Sequence, residues 1–286
     1  MREGLIVAER YRVHRLLGRG GLGEVWEATD PAFPRQVAIK FVTGAARYPQ
    51  AATRFAREAP VLASLRHPGI VTVFDTGFIP GEYGGQMPYL VMELLTGTTW
   101  EHARVTSVTR TGARIADALA HAHAKKIAHR DVKPANIMIL SDGTPVLLDF
   151  GIARDDNALS LTVTATGQGF GTPGYMAPEQ WAGARGTDAV DIYALGLILQ
   201  EKFTGRRDPA DIDPARSPLP TGVCELLRRM TARTADDRPT ATECAARLRA
   251  LVPSSETRRP RQQQKPSAPP QSGPGWRMAE YLGLVE

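Results

Sequence analysis

The sequence has little of what marks a secreted, metal-stapled or membrane-spanning chain. Its 286 residues include only two cysteines, Cys224 and Cys244. They fall in separate helix-like segments without metal-ligand spacing, which argues against a disulfide scaffold or zinc site and for free thiols in a reducing cytoplasm. Long apolar runs are missing too. The longest, Ile192 to Leu199, is too short to cross a bilayer. Met1 to Arg10 lacks the apolar core of a secretory leader. Aromatic residues make up 7% of the chain, and no basic stripe is interleaved with them, so the net charge of +5 reads as a solvated surface rather than a nucleic-acid site. A hydrophobic fraction of 42% over this length suits a soluble protein with a sizeable core.

The chain changes texture twice. Tyr11–Leu17, Gly23–Ala28 and Gln36–Val42 alternate or carry β-branched residues between glycines and the Asp30-Pro31 turn, which predicts a β-meander. Ala51–Leu65 has helical spacing through Phe55, Ala59, Leu62 and Leu65. Two further strand-like runs, Ile70–Phe74 and Tyr89–Met92, flank a Gly-rich hairpin. Five strands and one helix are therefore expected. After Gly97 the pattern turns helical, over Val108–His123, Asp191–Phe203, Val223–Thr231 and Thr240–Leu251, with Thr240 and Glu243 spaced as a capping box. The expected organisation is an α+β, bilobal chain: a β-rich lobe over 1–95, a shortened, mostly helical lobe over 96–252, and a Pro/Gln-rich tail over 253–286. That tail has too little apolar surface to order itself, and Trp276–Val285 reads as a frayed end.

Four motifs carry chemistry. Gly18-Arg19-Gly20-Gly21-Leu22-Gly23 joins two predicted strands; glycines let backbone N–H groups approach phosphate oxygens. The pattern is weak alone, but a dinucleotide-binding version would open a helix, and no P-loop lysine follows. Lys40, in Val37-Ala38-Ile39-Lys40, is a charge in an apolar strand that needs an anionic partner. Glu58 on the following helix is placed to be one. His129-Arg130-Asp131 with Asn136 reads H-R-D-x-x-x-x-N, and Asp149-Phe150-Gly151 follows at the spacing of a metal-binding loop.

From Tyr11 to about Leu251 the chain resembles the eukaryotic-type (Hanks-type) serine/threonine protein kinases of bacteria. The resemblance implies Asp131 as catalytic base, Lys133 steadying the transferred phosphoryl group, and Thr172 of Gly171-Thr172-Pro173 bridging the two. It implies Asn136 and Asp149 as ligands of Mg²⁺, or Mn²⁺ in its place, on ATP. It implies a nucleotide site formed by Leu17, Gly18, Gly20, Gly23, Val25, Ala38, Lys40 and Glu58, with Met92 as gatekeeper and the backbone of Glu93 and Leu95 on the purine edge. Glu179 of Ala177-Pro178-Glu179 is expected to pair with Arg238, and Asp191 to anchor the catalytic-loop backbone. Arg130 beside the base implies control by phosphate, with Thr164, Thr166 and Thr162 as autophosphorylation sites facing Arg130 and Arg154.

The family pattern is shortened at two places. Gly97–Val108 leaves little room for the usual helix after the hinge, and Gly205–Gly222 is rich in proline where relatives carry another. The expected partners are ATP and protein substrates, with a transient homodimer for trans-autophosphorylation and no nucleic acid or membrane span. A nucleotide-binding pseudokinase is the alternative, although none of Lys40, Glu58, Asp131, Asn136 and Asp149 is missing. A small-molecule kinase would share the Asp and Asn but lack the Gly-Thr and Ala-Pro-Glu segment.

Overall fold

Alternation in the first hundred residues builds one antiparallel sheet. A computed structural model of the chain describes residues 1–20, 23–43, 49–81, 85–150, 173–183, 187–208, 217 and 219–252. Six strands, β1 (Ile6–Val7), β2 (Tyr11–Gly20), β3 (Gly23–Asp30), β4 (Arg35–Phe41), β5 (Val73–Pro80) and β6 (Gln86–Glu93), lie in the order β1-β2-β3-β4-β6-β5. The short β1 is one strand more than the sequence pattern predicted, because two residues are too few to show a period. Residues 70–72 were expected in β5; instead they cross toward the second lobe, where the Val71 N–H donates to the Leu147 carbonyl at 3.0 Å.

The β2–β3 hairpin depends on a glycine. Gly23 has φ +148°, and a Cβ there would sit 1.8 Å from the Phe41 carbonyl oxygen. Replacing Gly23 with Ala is therefore expected to lower stability by about 1–3 kcal/mol, readable as a fall in thermal midpoint.

Helix α1 (Pro49–Ala63) packs Phe55, Ala59 and Leu62 toward the core and continues through Pro60. Pro60 lacks the N–H that would donate to the Ala56 carbonyl, so the last turn is one hydrogen bond short. The second lobe is organised around α2 (Val108–Ala124) and α4 (Ala189–Thr204), with the short α3 (Pro178–Trp181) before α4 and α5 (Thr221–Met230) and α6 (Ala241–Ala250) after it. The Ser107 side chain caps α2 by accepting from the Arg110 N–H, and the capping box of Thr240 and Glu243 opens α6. Helix α4 is apolar on nearly every side because other elements surround it, and it ends at Gly205 with φ +74°. Residues 100–107 form turns and coil rather than a helix. Trp100 is fully buried there, its backbone N–H donating to the Ile137 carbonyl at 2.7 Å. Part of the second shortened stretch, 209–216, lies outside the described residues.

Between the lobes sits a three-stranded sheet, β7 (Gly97–Thr99), β8 (Ile137–Leu140) and β9 (Pro145–Leu147), in that order. Its β8–β9 hairpin turns at Asp142-Gly143, with the Asp142 carboxylate accepting from the Thr144 N–H at 2.8 Å. Ile137 pairs with Leu147 at its open end. That register sets Leu148 opposite Asn136, its N–H donating to the Asn136 carbonyl at 2.9 Å, with Asp149 the next residue along.

Candidate active site

The catalytic loop is held from below by one buried carboxylate. Asp191, near the start of α4, accepts from the backbone N–H of His129 and of Arg130, each at 2.7 Å, and lies 2.8 Å from Nε2 of His123. A 1% exposed carboxylate would be costly without these donors. The contact with Arg130 holds a strained backbone, φ +63°, and Asp149 is strained likewise at φ +51°. Non-glycine residues in that region cluster at functional sites.

His129 supplies the second tie. Its Nδ1 accepts from the Asp131 N–H at 3.3 Å, so Nε2 carries the proton and donates to the Leu148 carbonyl at 2.6 Å. The ring stacks on Phe150 at 4.5 Å. The imidazole is fully buried, and loss of hydration pushes its pKa below the usual 6.5 against the opposing pull of Asp191 and Asp131. His67, which stacks on His121 at 5.3 Å, is lowered as well, by burial first and by His121 second. In both cases the unfolded chain takes up the proton first as pH falls. The stabilisation is fully present above about pH 6.5 and lost below it, at up to about 1.4 kcal/mol per pH unit for the buried His129 and by less for the partly exposed, solvent-screened His67. Urea unfolding at about pH 7.5 and about pH 5.5 should show a clear loss at the lower value; equal stabilities would contradict the buried, neutral His129.

Asp131 stands at the mouth of this loop. Its carboxylate accepts from the Asn136 side-chain amide at 2.9 Å and lies 3.4 Å from the Lys133 ammonium. Asn136 also donates to the Asp131 backbone carbonyl at 2.8 Å. The loop thus places a carboxylate, an ammonium and an amide around one point. Asp149 lies across the hairpin end.

Lys40 meets a different partner from the one predicted. Its ammonium is 2.7 Å from the Asp149 carboxylate, whereas Glu58 pairs with its neighbour Arg57 at 3.2 Å. The expected Lys40–Glu58 contact is not made among the described residues. Helical spacing put Glu58 on the correct element, but whether the carboxylate reaches the lysine depends on how α1 lies against the sheet. A cavity of about 30 Å³, enough for one or two waters, separates Lys40 from Phe55 and Leu62 of α1.

The predicted adenine residues fall in one apolar cluster. Leu17, Val25, Ala38 and Met92 pack with Val71, Met138, Val146 and Leu148, with Leu94 and Leu95 at the edge. Met138 and Leu148, which close this cluster from the second lobe, were not singled out in the sequence; their only signal was the apolar run through β8 and β9. Glu93 is fixed from both ends, its carboxylate accepting from the Thr72 N–H at 2.6 Å and its own N–H donating to the Thr72 carbonyl at 3.0 Å. Gly18, Gly20 and Gly23 lie at the β2–β3 turn. Thr172, Thr162, Thr164, Thr166 and Arg154 lie outside the described residues.

The donor set fits a magnesium nucleotide. Mg²⁺ is held by one or two carboxylates together with phosphate oxygens and water, not by an all-protein cage. Asp149 and the Asn136 amide supply that kind of set, and no group of three His, Cys, Asp or Glu side chains able to hold a metal occurs among the described residues.

Farther out, Arg238 and Glu179 meet as a bidentate pair at 2.6 and 2.8 Å. The guanidinium, whose side chain is wholly buried, also donates to the carbonyls of Ala189, Ala232 and Arg233. Burial works to raise the Glu179 pKa, but the hydrogen bonds and charge of Arg238 prevail and hold it below the usual carboxylate range.

Known proteins resemble this chain along most of its length. A family model described as the protein kinase domain matches residues 11–248. The serine/threonine-protein kinase PknA of Mycobacterium tuberculosis is 39% identical over 219 residues, covering 72% of this chain and 49% of the relative. A probable serine/threonine-protein kinase PknB of Corynebacterium glutamicum is 36% identical over 275 residues, covering 85% and 42%. The chain thus spans about half the length of these curated relatives. Among solved structures, the Mycobacterium tuberculosis PknI kinase domain superposes with a TM-score of 0.67 at 30% identity, covering 87% of this chain and 99% of that one. With the catalytic loop, the two-lobed architecture and these relatives in agreement, the chain belongs to the protein kinase family.

Proposed function

We propose that this chain is an ATP-dependent protein serine/threonine kinase. The observation that carries the reading is the convergence of Asp131, Lys133 and Asn136 within hydrogen-bond or ion-pair reach, with Leu148, the residue before Asp149, donating to the Asn136 carbonyl. Asp131 would accept the hydrogen bond of a seryl or threonyl hydroxyl and take its proton as that oxygen bonds to the γ-phosphorus and the bond to ADP breaks. Lys133 would steady the phosphoryl oxygens. Asn136 and Asp149 would hold Mg²⁺, whose charge offsets that of the phosphates. The apolar cluster around Ala38 and Met138 would take the adenine, with the backbone of Glu93 and Leu95 on its edge. Names of relatives support the serine/threonine choice, as does Lys133 two residues after the base. Thr164, Thr166 and Thr162 are the proposed autophosphorylation sites. Among the described residues no helix is long and apolar enough to cross a membrane, and the buried free thiols of Cys224 and Cys244 support action in a reducing cytoplasm.

One observation favours a second reading. Lys40 faces Asp149 rather than Glu58, which would also suit a scaffold that binds nucleotide without transferring phosphate. Incubation with ATP and graded Mg²⁺, followed by phosphopeptide mapping, separates the two. The kinase reading expects Mg²⁺-dependent phosphate on seryl or threonyl residues, including those of 162–166, and its loss with chelator. Nucleotide binding without incorporation would favour the scaffold.

A further inference from the structure

Two histidines meet where the lobes join. His67 lies in the turn 67–70 that follows α1, and His121 in the last turn of α2, with their ring centroids 5.3 Å apart. The segment sits close on the helix. A Cβ at Gly69 would be 3.1 Å from that of Ala118, and the Lys125 ammonium donates to the Ser64 carbonyl at 2.8 Å.

His67 closes its own turn. Its Nδ1 accepts from the Gly69 N–H at 3.0 Å, so the neutral ring carries its proton on Nε2. The Ile70 N–H donates to the His67 carbonyl at 3.0 Å. Beyond the turn, the Gly69 carbonyl accepts from the Leu147 N–H at 2.8 Å, and the Val71 N–H donates to the Leu147 carbonyl at 3.0 Å. The end of β9, two residues before Asp149, therefore hangs on this turn.

The atom that accepts from Gly69 is the one that gains a proton when the ring becomes charged. An imidazolium donates at both nitrogens and accepts at neither. A charged His67 would leave the Gly69 N–H facing a donor. It would also set a cation against His121, whose Nε2 is buried with no hydrogen-bond partner among the described residues. Asp117 of α2 favours the charged ring, but Arg249 of α6 meets that carboxylate at 2.6 Å. On the segment itself, the Arg66 guanidinium donates to the carbonyls of Ala63 and Leu65. Burial first and His121 second hold the pKa of His67 below the usual 6.5. The geometry points to His67 as a proton-operated latch between the lobes. Neutral, it holds the turn 67–70 closed against α2; protonation on Nδ1 opens the turn and frees the Leu147 N–H.

Hydrogen exchange and imidazole NMR of the full-length chain test the latch, separately from any measurement of phosphoryl transfer. Corrected for intrinsic rates, protection of the Gly69 and Leu147 amides should fall by about threefold or more between about pH 7.5 and about pH 5.5. The midpoint should match that of Nδ1 protonation of His67. The amides of Leu195 and Ile198 in α4 should not follow, because the opening is local. His67→Asn keeps an acceptor, since an Asn side-chain oxygen accepts from the N–H two residues on, and it has no proton to gain. Its Gly69 protection should be the same at both pH values. Gly69 protection that ignores the titration of His67, or that falls as far in His67→Asn, would overturn the proposal. So would a fall shared in full by Leu195 and Ile198, which reports global unfolding. If His67→Asn does not fold, the comparison of midpoints in the wild type decides alone.

Discussion

Replacing Asp131 with Asn should lower kcat for phosphoryl transfer by about 10²–10⁴-fold with little change in the KM for ATP. The substitution is nearly isosteric. It keeps an oxygen that can accept from Asn136 at the present 2.9 Å, so the loop should retain its shape. What it removes is the group able to accept a proton from the attacking hydroxyl. Asp131 is not part of the apolar cluster around Ala38 and Met92, so nucleotide affinity should survive. Steady-state kinetics with a generic protein substrate, alongside a thermal melt of both proteins, checks the split. A kcat within tenfold of wild type would remove Asp131 from the role of base.

Arg238→Ala should produce the largest loss of stability of any single substitution considered, about 3 kcal/mol or more, equivalent to a fall of roughly 6–12 °C in thermal midpoint for a domain of this size. The change leaves Glu179 without its bidentate partner and frees the carbonyls of Ala189, Ala232 and Arg233 in one step. Arg238→Lys should recover only part of the loss, because an ammonium cannot reproduce the planar two-pronged contact. The pH dependence carries the same signature. Glu179 holds its proton less tightly in the folded chain than in the unfolded one. Its contribution is therefore present above the unfolded carboxylate pKa and lost as pH falls through the lower folded value. A mild effect of Arg238→Ala would mean that the segment from α3 to α4 is held chiefly by other contacts.

Much of the site was legible in the sequence because its residues are tied to local geometry. Asp191 could be placed under the catalytic loop because the resemblance implied it, and its carboxylate does accept from the His129 and Arg130 N–H groups. The capping box at Thr240 and the apolar period of α2 were readable from local spacing. What escaped were features set by distant packing. Lys40 turns to Asp149 because the lie of α1 against the sheet is a rigid-body variable that helix period does not encode. Asp30 looked like a turn residue, yet it is buried and held by Arg10 at 2.7 Å and Arg35 at 3.3 Å. That cluster ties the turn end of the β3–β4 hairpin to the start of β2. Trp100 gave no signal that it would be the largest of the fully buried side chains. Met138 and Leu148 gave no sign of joining Leu17, Val25, Ala38 and Met92, because a cluster between lobes asks only for apolar surface.

The most direct test of the account is transfer of label from ATP carrying it at the γ-phosphorus, compared with ATP labelled at the α-phosphorus, by wild type and by Asp131→Asn. The account predicts acid-stable label on seryl or threonyl residues from the γ-labelled nucleotide alone, dependent on Mg²⁺ and lost in Asp131→Asn. Nucleotide binding without any incorporation by the wild type, or incorporation undiminished in Asp131→Asn, would contradict it.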